Sequence, residues 1–270
     1  MDGVKHIVAV ASGKGGVGKS TVTVNLALAL SAQGYRVGVL DADIYGPSQA
    51  QMLGVEEGVR PQAAADNKFL PLEAHGIQAM SMAFMVNTRD AMVWRGPMVV
   101  GAFQQMLTQT QWDNLDFLLI DMPPGTGDIQ LTLAQKVPVA GAVIVTTPQD
   151  IALLDARKGI EMFRKVNIPV LGMIENMSMH ICSQCGHAEH IFGEDGAERL
   201  ATTYNTRVLG SLPLSKYIRE MADEGTPVVA ADDCSEVSMM YRHAARNMAV
   251  ALLKQNQQAT AAPVIQISDE

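Results

Sequence analysis

The sequence predicts an α/β fold in which a mostly parallel β-sheet carries helices on both faces. Short apolar runs alternate with helical patterns along the chain, as they do when helices connect parallel strands. A glycine-rich segment separates the first apolar run from the first helical pattern, and acidic residues directly follow two further runs. Because ligands bind at the carboxyl ends of parallel strands, we expect these features to meet at one edge of the sheet.

The order of the elements follows from the apolar runs and from the residues that interrupt them. Buried strands are predicted at 7–11, 37–40, 117–120, 142–145, 170–174 and 208–210, with a short pair of strands at 69–72 and 77–82. Helices are predicted from residue 19 to the helix-ending Gly34, and at 96–110, 128–136, 151–166, 196–204 and 235–256. Residues 54–68 are weakly patterned and are predicted to form a surface excursion.

The glycine-rich segment has the spacing GxxxxGK[ST] between a strand and a helix, which is the context of a phosphate-binding loop. The nucleotide-binding residues predicted here are Gly13, Lys14, Gly15, Gly16, Val17, Gly18, Lys19, Ser20 and Thr21. Glycines let backbone N–H groups face phosphate oxygens, and the helix N-terminus adds positive potential. We expect the Lys19 ammonium to reach the β- and γ-phosphates and the Ser20 hydroxyl to bind Mg²⁺.

Acidic residues at two strand ends complete the predicted nucleotide site. Asp121 ends an apolar strand, where a carboxylate holds Mg²⁺ in enzymes that hydrolyse nucleotides. Gly125 follows in a Pro-Pro-Gly-Thr-Gly run, and we expect its N–H to contact the γ-phosphate and so distinguish ATP from ADP. Asp41 and Asp43 follow another strand, and we expect one to orient the attacking water and the other to join the magnesium shell.

Cys182 and Cys185 form a C-x-x-C pair outside the nucleotide residues. Two thiolates from each subunit of a dimer would supply the four ligands of a [4Fe–4S] cluster. Alternatively, His187 or His190 would complete a zinc site within one chain, or the pair would be an unliganded redox couple. The spacing leaves these three interpretations open. The remaining cysteine, at position 234, matches no motif, and we interpret it as structural.

The composition limits the possible partners and compartment. The net charge of −8 opposes nucleic-acid binding through bulk charge. No run of eighteen apolar residues predicts a transmembrane helix, and no apolar signal segment precedes the first strand. Three cysteines do not make a disulfide framework. We therefore expect a cytoplasmic protein that binds neither nucleic acid nor membrane.

Lys14 gives the loop the sequence KGGVGKS, which resembles the deviant Walker A loop of the MinD, ParA and nitrogenase iron-protein class. In that class the additional lysine reaches across a dimer interface to the nucleotide of the partner. The resemblance therefore implies a homodimer in which Lys14 acts in catalysis, adding positive charge where the transferring phosphoryl group accumulates negative charge.

A more specific resemblance extends from about residue 4 to residue 255. The matching runs are 14–20, 41–48, 93–98, 121–128, 175–178, the C-x-x-C-G loop and 191–193. Together they resemble the Mrp/ApbC family, whose members are cytosolic P-loop ATPases that carry iron–sulfur clusters to apo-proteins. The resemblance implies a [4Fe–4S] cluster shared between two subunits on Cys182 and Cys185, a cluster donor and recipient apo-proteins. Many bacterial members have an additional small N-terminal domain that this sequence does not contain.

The resemblance also assigns roles within the nucleotide site. It favours Asp43 as the residue that orients the attacking water, beside the catalytic Lys14 and Lys19, and leaves Asp41 with Ser20 and Asp121 as magnesium residues. It implies that Asn176 contacts the adenine edge, for which an amide has both donor and acceptor. The loop of Pro213 and Leu214 would then close the base pocket.

Two other functions compete with ATP-dependent cluster transfer. A MinD- or ParA-like positioning ATPase would need a basic amphipathic C-terminal helix or a cationic surface, and neither would explain the C-x-x-C pair. A small-molecule kinase would need an acceptor-substrate motif, which we do not find. We expect a single P-loop ATPase domain at 1–257, with a cysteine-bearing loop at 177–193 and a loose tail at 258–270.

Overall fold

The computed structural model describes residues 3–85, 96–182 and 184–260. Its strands are β1 (Val4–Ala11), β2 (Val37–Asp41), β3 (Leu72–Ala74), β4 (Ile77–Ser81), β5 (Leu115–Asp121), β6 (Gly141–Thr146), β7 (Val170–Glu175), β8 (His180–Ile181), β9 (Ala188–Glu189) and β10 (Val208–Ser211). Its helices are α1 (Lys19–Ser31), α2 (Gln49–Met52), α3 (Met82–Met85), α4 (Gly96–Gln109), α5 (Asp128–Lys136), α6 (Asp150–Lys165), α7 (Gly196–Thr203), α8 (Lys216–Asp223), α9 (Val228–Ala231) and α10 (Glu236–Thr260). A 3₁₀ turn, Ala65–Asn67, lies in the predicted surface excursion.

The predicted mostly parallel sheet is confirmed. Within the described residues, the main sheet has the order β10-β7-β6-β1-β5-β2-β4-β3, and β3 alone runs antiparallel to its neighbour. Strand β1 lies between β5 and β6 at the centre of the sheet, and the later strands lie on both sides of it. The loop after β1 therefore opens at a topological switch point, where α/β sheets bind their ligands.

Helices cover both faces because side chains along the central strands alternate between two cores. In β1, Ile7 and Ala9 belong to one buried cluster, whereas Val8 and Val10 belong to the other. Helices α4 to α7 supply residues to the first cluster, and α1 with α8 to α10 supply the second. With both faces covered, the exposed carboxyl edge of the sheet is where ligands have access.

The structure refines several predicted elements. The first strand of the predicted short pair begins at Leu72 rather than at residue 69, since Pro71 has no N–H to donate to a ladder. The hairpin of β8 and β9 lies in the segment predicted as a loop, and α2, α3, α8 and α9 were not predicted. The last helix continues to Thr260, past the predicted end at 256 and into the predicted tail. Residues 93–95 of one family motif and residues 261–270 lie outside the described residues.

Candidate functional site

The loop between β1 and α1 has the backbone that a phosphate-binding loop needs. Gly16 and Gly18 have φ angles of +82° and +79°, which favour glycine, and Gly18 caps α1. A Cβ at Gly13 would lie 2.1 Å from the backbone of Asp155, and one at Gly18 would lie 2.3 Å from the Asn176 side-chain nitrogen. Gly13 and Gly18 therefore have no room for a side chain, and the N-terminus of α1 faces the loop.

Lys19 and Asp121 form a buried ion pair at the floor of the loop. The Lys19 Nζ lies 2.5 Å from the Asp121 Oδ1, with the two side chains 6% and 0% exposed. Thr23 donates a 3.2 Å hydrogen bond to the same oxygen, and Gln49 Nε2 donates a 2.8 Å bond to Asp121 Oδ2. Nζ also lies 3.3 Å from the Ser20 hydroxyl. A phosphate bound in the loop would compete with Asp121 for this ammonium.

Asp41 is buried at the end of β2 and accepts hydrogen bonds from four groups. Its donors are the backbone N–H groups of Asp43, Ser48 and Gln49 and the hydroxyl of Ser81, at 3.0–3.1 Å. Burial raises the pKa of Asp41 to about 7, and the nearby Asp121 carboxylate adds to the shift. This carboxyl is therefore a fixed acceptor that organises the turn following β2.

Asp43 has a more open environment than Asp41. It is half-buried, and its Oδ1 accepts a 3.3 Å hydrogen bond from the Gly46 N–H. Burial raises its pKa, and the Lys19 ammonium opposes that rise. Of the two carboxyls, Asp43 is thus the one that solvent water can reach, and its role toward an attacking water stays a prediction.

These groups fit a magnesium ion by their chemistry. The Ser20 hydroxyl and two fully buried carboxylates lie on neighbouring elements, and hard oxygen ligands are those that Mg²⁺ prefers. Gln49, for which the sequence motifs contain no signal, donates hydrogen bonds from its side chain to the Ser20 carbonyl and to Asp121. Its Oε1 is buried and has no hydrogen-bond partner among the described residues.

The two remaining predicted groups at the phosphate end have different environments. The Gly125 N–H donates a 3.0 Å hydrogen bond to the Ser12 carbonyl, so it would have to exchange that acceptor for a γ-phosphate oxygen. Gly125 has a φ of +99°, and Gln130 donates to the preceding carbonyl of Pro124. Lys14 is half-buried, and its ammonium has no hydrogen-bond or ion-pair partner within the described part of the chain.

A cavity of about 260 Å³ continues from the phosphate loop along α8. Gly18, Thr21, Asn176, Pro213 and Leu214 line it together, so the structure brings the residues predicted for the base into one place. The Asn176 Nδ2 donates a 2.9 Å hydrogen bond to the Val17 carbonyl. Asn176 therefore stabilises the phosphate loop through this hydrogen bond, and its contact with an adenine edge stays a prediction.

The C-x-x-C pair lies at the tip of the β8–β9 hairpin. The Cys182 N–H donates to the His187 carbonyl and the Gly186 N–H donates to the Cys182 carbonyl, both at 2.9 Å. Cys182 is partly exposed, Cys185 is exposed, and both are free thiols. Backbone N–H groups of Gln184 and Cys185 lower the pKa of the Cys182 thiol. This shift favours the thiolate of Cys182, which is the form that binds metals.

A zinc site within one chain does not form among the described residues. No three Cys, His, Asp or Glu side chains converge there on a common point where a metal could bind. The His190 Nδ1 instead lies 2.8 Å from the Ser178 carbonyl, so this ring fastens the base of the hairpin. The hairpin accordingly presents two thiols and, within the described part of the chain, no further ligand.

Hydrogen bonds join the cysteine hairpin to the loop that lines the cavity. The Ser178 N–H and hydroxyl both donate to the Leu212 carbonyl, at 2.9 and 3.1 Å. The Leu214 N–H donates to the Met179 carbonyl at 2.7 Å, and the His180 Nδ1 lies 3.3 Å from the Leu214 carbonyl. We refer to these contacts of 178–180 with 212–214 as the seam. The cavity and the hairpin therefore share one wall.

The fold and the loop define this protein as a P-loop NTPase. A family described as the NUBPL iron-transfer P-loop NTPases, within ParA, matches residues 3–249, and the chain belongs to that family. It is 67% identical to the iron-sulfur cluster carrier protein of Pseudomonas fragi, over 90% of this chain and 84% of that protein. It is 57% identical to the protein of the same name from Escherichia coli K12, over 95% of this chain and 69% of that protein.

Relatives extend beyond bacteria and include solved structures. The iron-sulfur cluster transfer protein NUBPL of Mus musculus is 52% identical over 91% of this chain and 77% of its own length. An Archaeoglobus fulgidus nucleotide-binding protein, solved in complex with ADP, superimposes with a TM-score of 0.75 at 36% identity, covering 88% of this chain and 92% of its own. The MinD cell division ATPase of Pyrococcus furiosus shares the fold, with a TM-score of 0.70 at 23% identity, over 91% of this chain and 98% of its own.

A membrane span requires a helix that is both long and apolar, and no helix of the described residues meets both conditions.

Proposed function

We propose that this protein is a cytoplasmic ATPase that binds a [4Fe–4S] cluster between two of its own subunits and transfers it to apo-proteins. The observation that carries the proposal is the hairpin tip, which offers two free thiols at positions 182 and 185 and no third ligand from the described residues. A cubane cluster needs four thiolates, so two subunits would have to contribute one pair each. The carrier names of the relatives support cluster transfer.

In this proposal the loop residues bind ATP by its phosphates. Backbone N–H groups of 13–21 face the anion, and Lys19 moves from Asp121 to the β- and γ-phosphates. Ser20, Asp41 and Asp121 would hold Mg²⁺, which when bound would supply positive charge to the phosphoryl oxygens. Asp43, with its raised pKa and solvent access, orients the attacking water.

Lys14 completes the site from the other subunit. Its half-buried ammonium has no partner within the described residues of its own chain, and an unpaired cation beside a phosphate site is suited to a developing negative charge. A homodimer face to face across the loops would bring each Lys14 to the partner's γ-phosphate. Hydrolysis would be slow and coupled to cluster transfer.

The hydrogen bonds of the seam would couple nucleotide binding in the cavity to cluster binding at the hairpin. Base and sugar would occupy the cavity lined by Asn176, Pro213 and Leu214, and Leu214 is bonded directly to the segment that leads into the hairpin. Coupling requires that the nucleotide states differ in their affinity for the cluster. A loop contacted by the nucleotide on one side and by the hairpin on the other meets this requirement.

The test is anaerobic reconstitution with iron and sulfide, followed by iron, sulfide and zinc analysis and by mass in solution. We expect about four iron and four sulfide per two subunits, a dimeric mass, and a brown colour with absorption at about 400 nm. Cys182→Ala should remove the cluster and leave ATP binding intact, whereas the control Cys234→Ala should change neither. A strict monomer that keeps a full cluster would refute the shared-ligand arrangement, and a colourless zinc protein would refute the cluster.

A further inference from the structure

Gln49 contacts every part of the proposed magnesium site. It opens α2 immediately after the acidic turn, and it is 1% exposed. Its Nε2 donates to the Asp121 Oδ2 at 2.8 Å and to the Ser20 carbonyl at 3.0 Å, while its backbone N–H donates to the Asp41 Oδ2 at 3.1 Å. One residue thus binds the three residues to which we assign the ion.

These contacts fix the orientation of the Gln49 amide. A carboxylate and a backbone carbonyl are acceptors only, so the NH₂ group must face both of them. The Oε1 then lies on the opposite side, where it is buried and has no donor among the described residues. A buried acceptor without a partner costs free energy, so the two hydrogen bonds of the NH₂ group must account for this orientation of the amide.

We infer that Gln49 is a positioning residue for Mg²⁺: its NH₂ group holds in place the Asp121 carboxylate and the backbone of Ser20, both of which belong to residues that we assign to the ion. Residues that orient ligands in this way affect metal affinity although they do not touch the metal. The inference rests on the proposed nucleotide function.

A purely structural Gln49 would behave differently in a measurement. If the amide only tied α2 to β5 and α1, its loss would weaken nucleotide binding by a similar factor with and without metal. If Gln49 positions the metal, its loss should instead weaken nucleotide binding mainly when Mg²⁺ is present. The ratio of the nucleotide affinities with and without Mg²⁺ therefore separates the two roles.

The experiment is calorimetric titration of the full chain with ADP, once with Mg²⁺ and once with EDTA. Gln49→Met keeps the length of the side chain and removes both polar groups. We expect it to reduce the Mg²⁺-dependent gain in affinity about tenfold, with the metal-free affinity within about threefold of wild type. The control Gln105→Met, at an exposed position of α4, should leave both affinities unchanged.

A second variant guards against misfolding of the first. Gln49→Leu also removes the NH₂ group but has a smaller apolar side chain, so a folded Gln49→Leu should lose the Mg²⁺-dependent gain by a similar factor, about tenfold. The inference is overturned if either variant folds and retains the full gain. A wild-type protein that binds ADP without responding to Mg²⁺ would instead overturn the proposed magnesium site.

Discussion

Replacing Asp121 with asparagine should strengthen nucleotide binding in the absence of metal. The Lys19 ammonium is bonded to the Asp121 carboxylate at 2.5 Å in a buried setting, and it must give up this bond to reach a phosphate. A hydrogen bond between charged groups contributes about 1.5–3 kcal/mol, and a neutral one about 0.5–1.5 kcal/mol. The neutral amide of the variant would thus hold the ammonium more weakly by about 1 kcal/mol.

That difference corresponds to roughly a fivefold increase in metal-free ADP affinity. Mg²⁺ should reverse the ranking, because the variant lacks a carboxylate that we assign to the ion. The free energy of unfolding should fall by about 3 kcal/mol, since the variant leaves a buried ammonium without its counterion. Calorimetry with and without EDTA measures the affinities, and urea unfolding measures the stability.

The same strand supplies a matched control. Asp116 lies at the other end of β5, where its carboxylate pairs with an exposed Lys5 at 2.6 Å. Asp116→Asn should cost at most about 1 kcal/mol of stability, as surface ion pairs do, and should leave ADP affinity unchanged. Metal-free ADP binding that is equal or weaker in Asp121→Asn than in wild type would refute our account of Lys19.

Three further predictions concern the loop, a buried acid and the seam. Gly18→Ala should abolish ADP binding and destabilise the protein by more than about 2 kcal/mol, because its Cβ would clash as well as strain the backbone. The control Gly34→Ala, at a φ of +90° with open space around it, should show the cost of the backbone strain alone. Equal losses of stability in the two variants would contradict this prediction. For Asp41, the raised pKa means that the folded protein holds this proton more tightly than the unfolded chain. Its contribution to the free energy of unfolding is therefore complete below pH of about 4 and is lost as pH rises to about 7; the stability difference between wild type and Asp41→Asn in EDTA should decline across that range, and a difference independent of pH would exclude the shift. Finally, ADP should change the alkylation rate of Cys182 at least about twofold. Ser178→Ala, which removes one hydrogen bond of the seam, should reduce that change by about half while the ADP affinity stays constant. An undiminished change in the alkylation rate would show that the seam does not carry the coupling.

Local spacing was sufficient to predict the loop between β1 and α1 and its place at the edge of the sheet. The loop at 13–20 contains both the conformational signal, its glycines, and the chemical signal, its lysine and serine, in one short segment. Asp121 was predictable for a similar reason, since it ends an apolar run and a parallel strand must deliver its last side chain to the ligand edge. Each of these predictions needs only the strand and the few residues after it.

Gln49 was not predictable in the same way. Its position depends on β5 and α1 meeting α2, which is a tertiary contact between residues 20, 49 and 121. The seam was missed for the same reason, because residues 178 and 212 are joined only once β7 and β10 pair. Helix α8 has only eight residues, which is shorter than the stretch needed to recognise a helix from periodicity, so it was missed although its apolar residues recur at helical spacing. The positions of Gln49 and of the seam depend on long-range contacts for which the sequence has no short-range pattern.

The groups proposed for nucleotide binding and those proposed for cluster binding differ in how deeply they are buried. The carboxylates that would hold a nucleotide's metal are fully buried on the sheet, where fixed donors control their charge. The thiols are on an exposed hairpin that is held by a few hydrogen bonds at its base. Several hydrogen bonds hold each of these buried carboxylates, so we expect a change of nucleotide to move them less than it moves the hairpin. The 212–214 loop lines the cavity on one side and bonds the hairpin on the other, so we propose it as the element that would respond to nucleotide and move the cysteines.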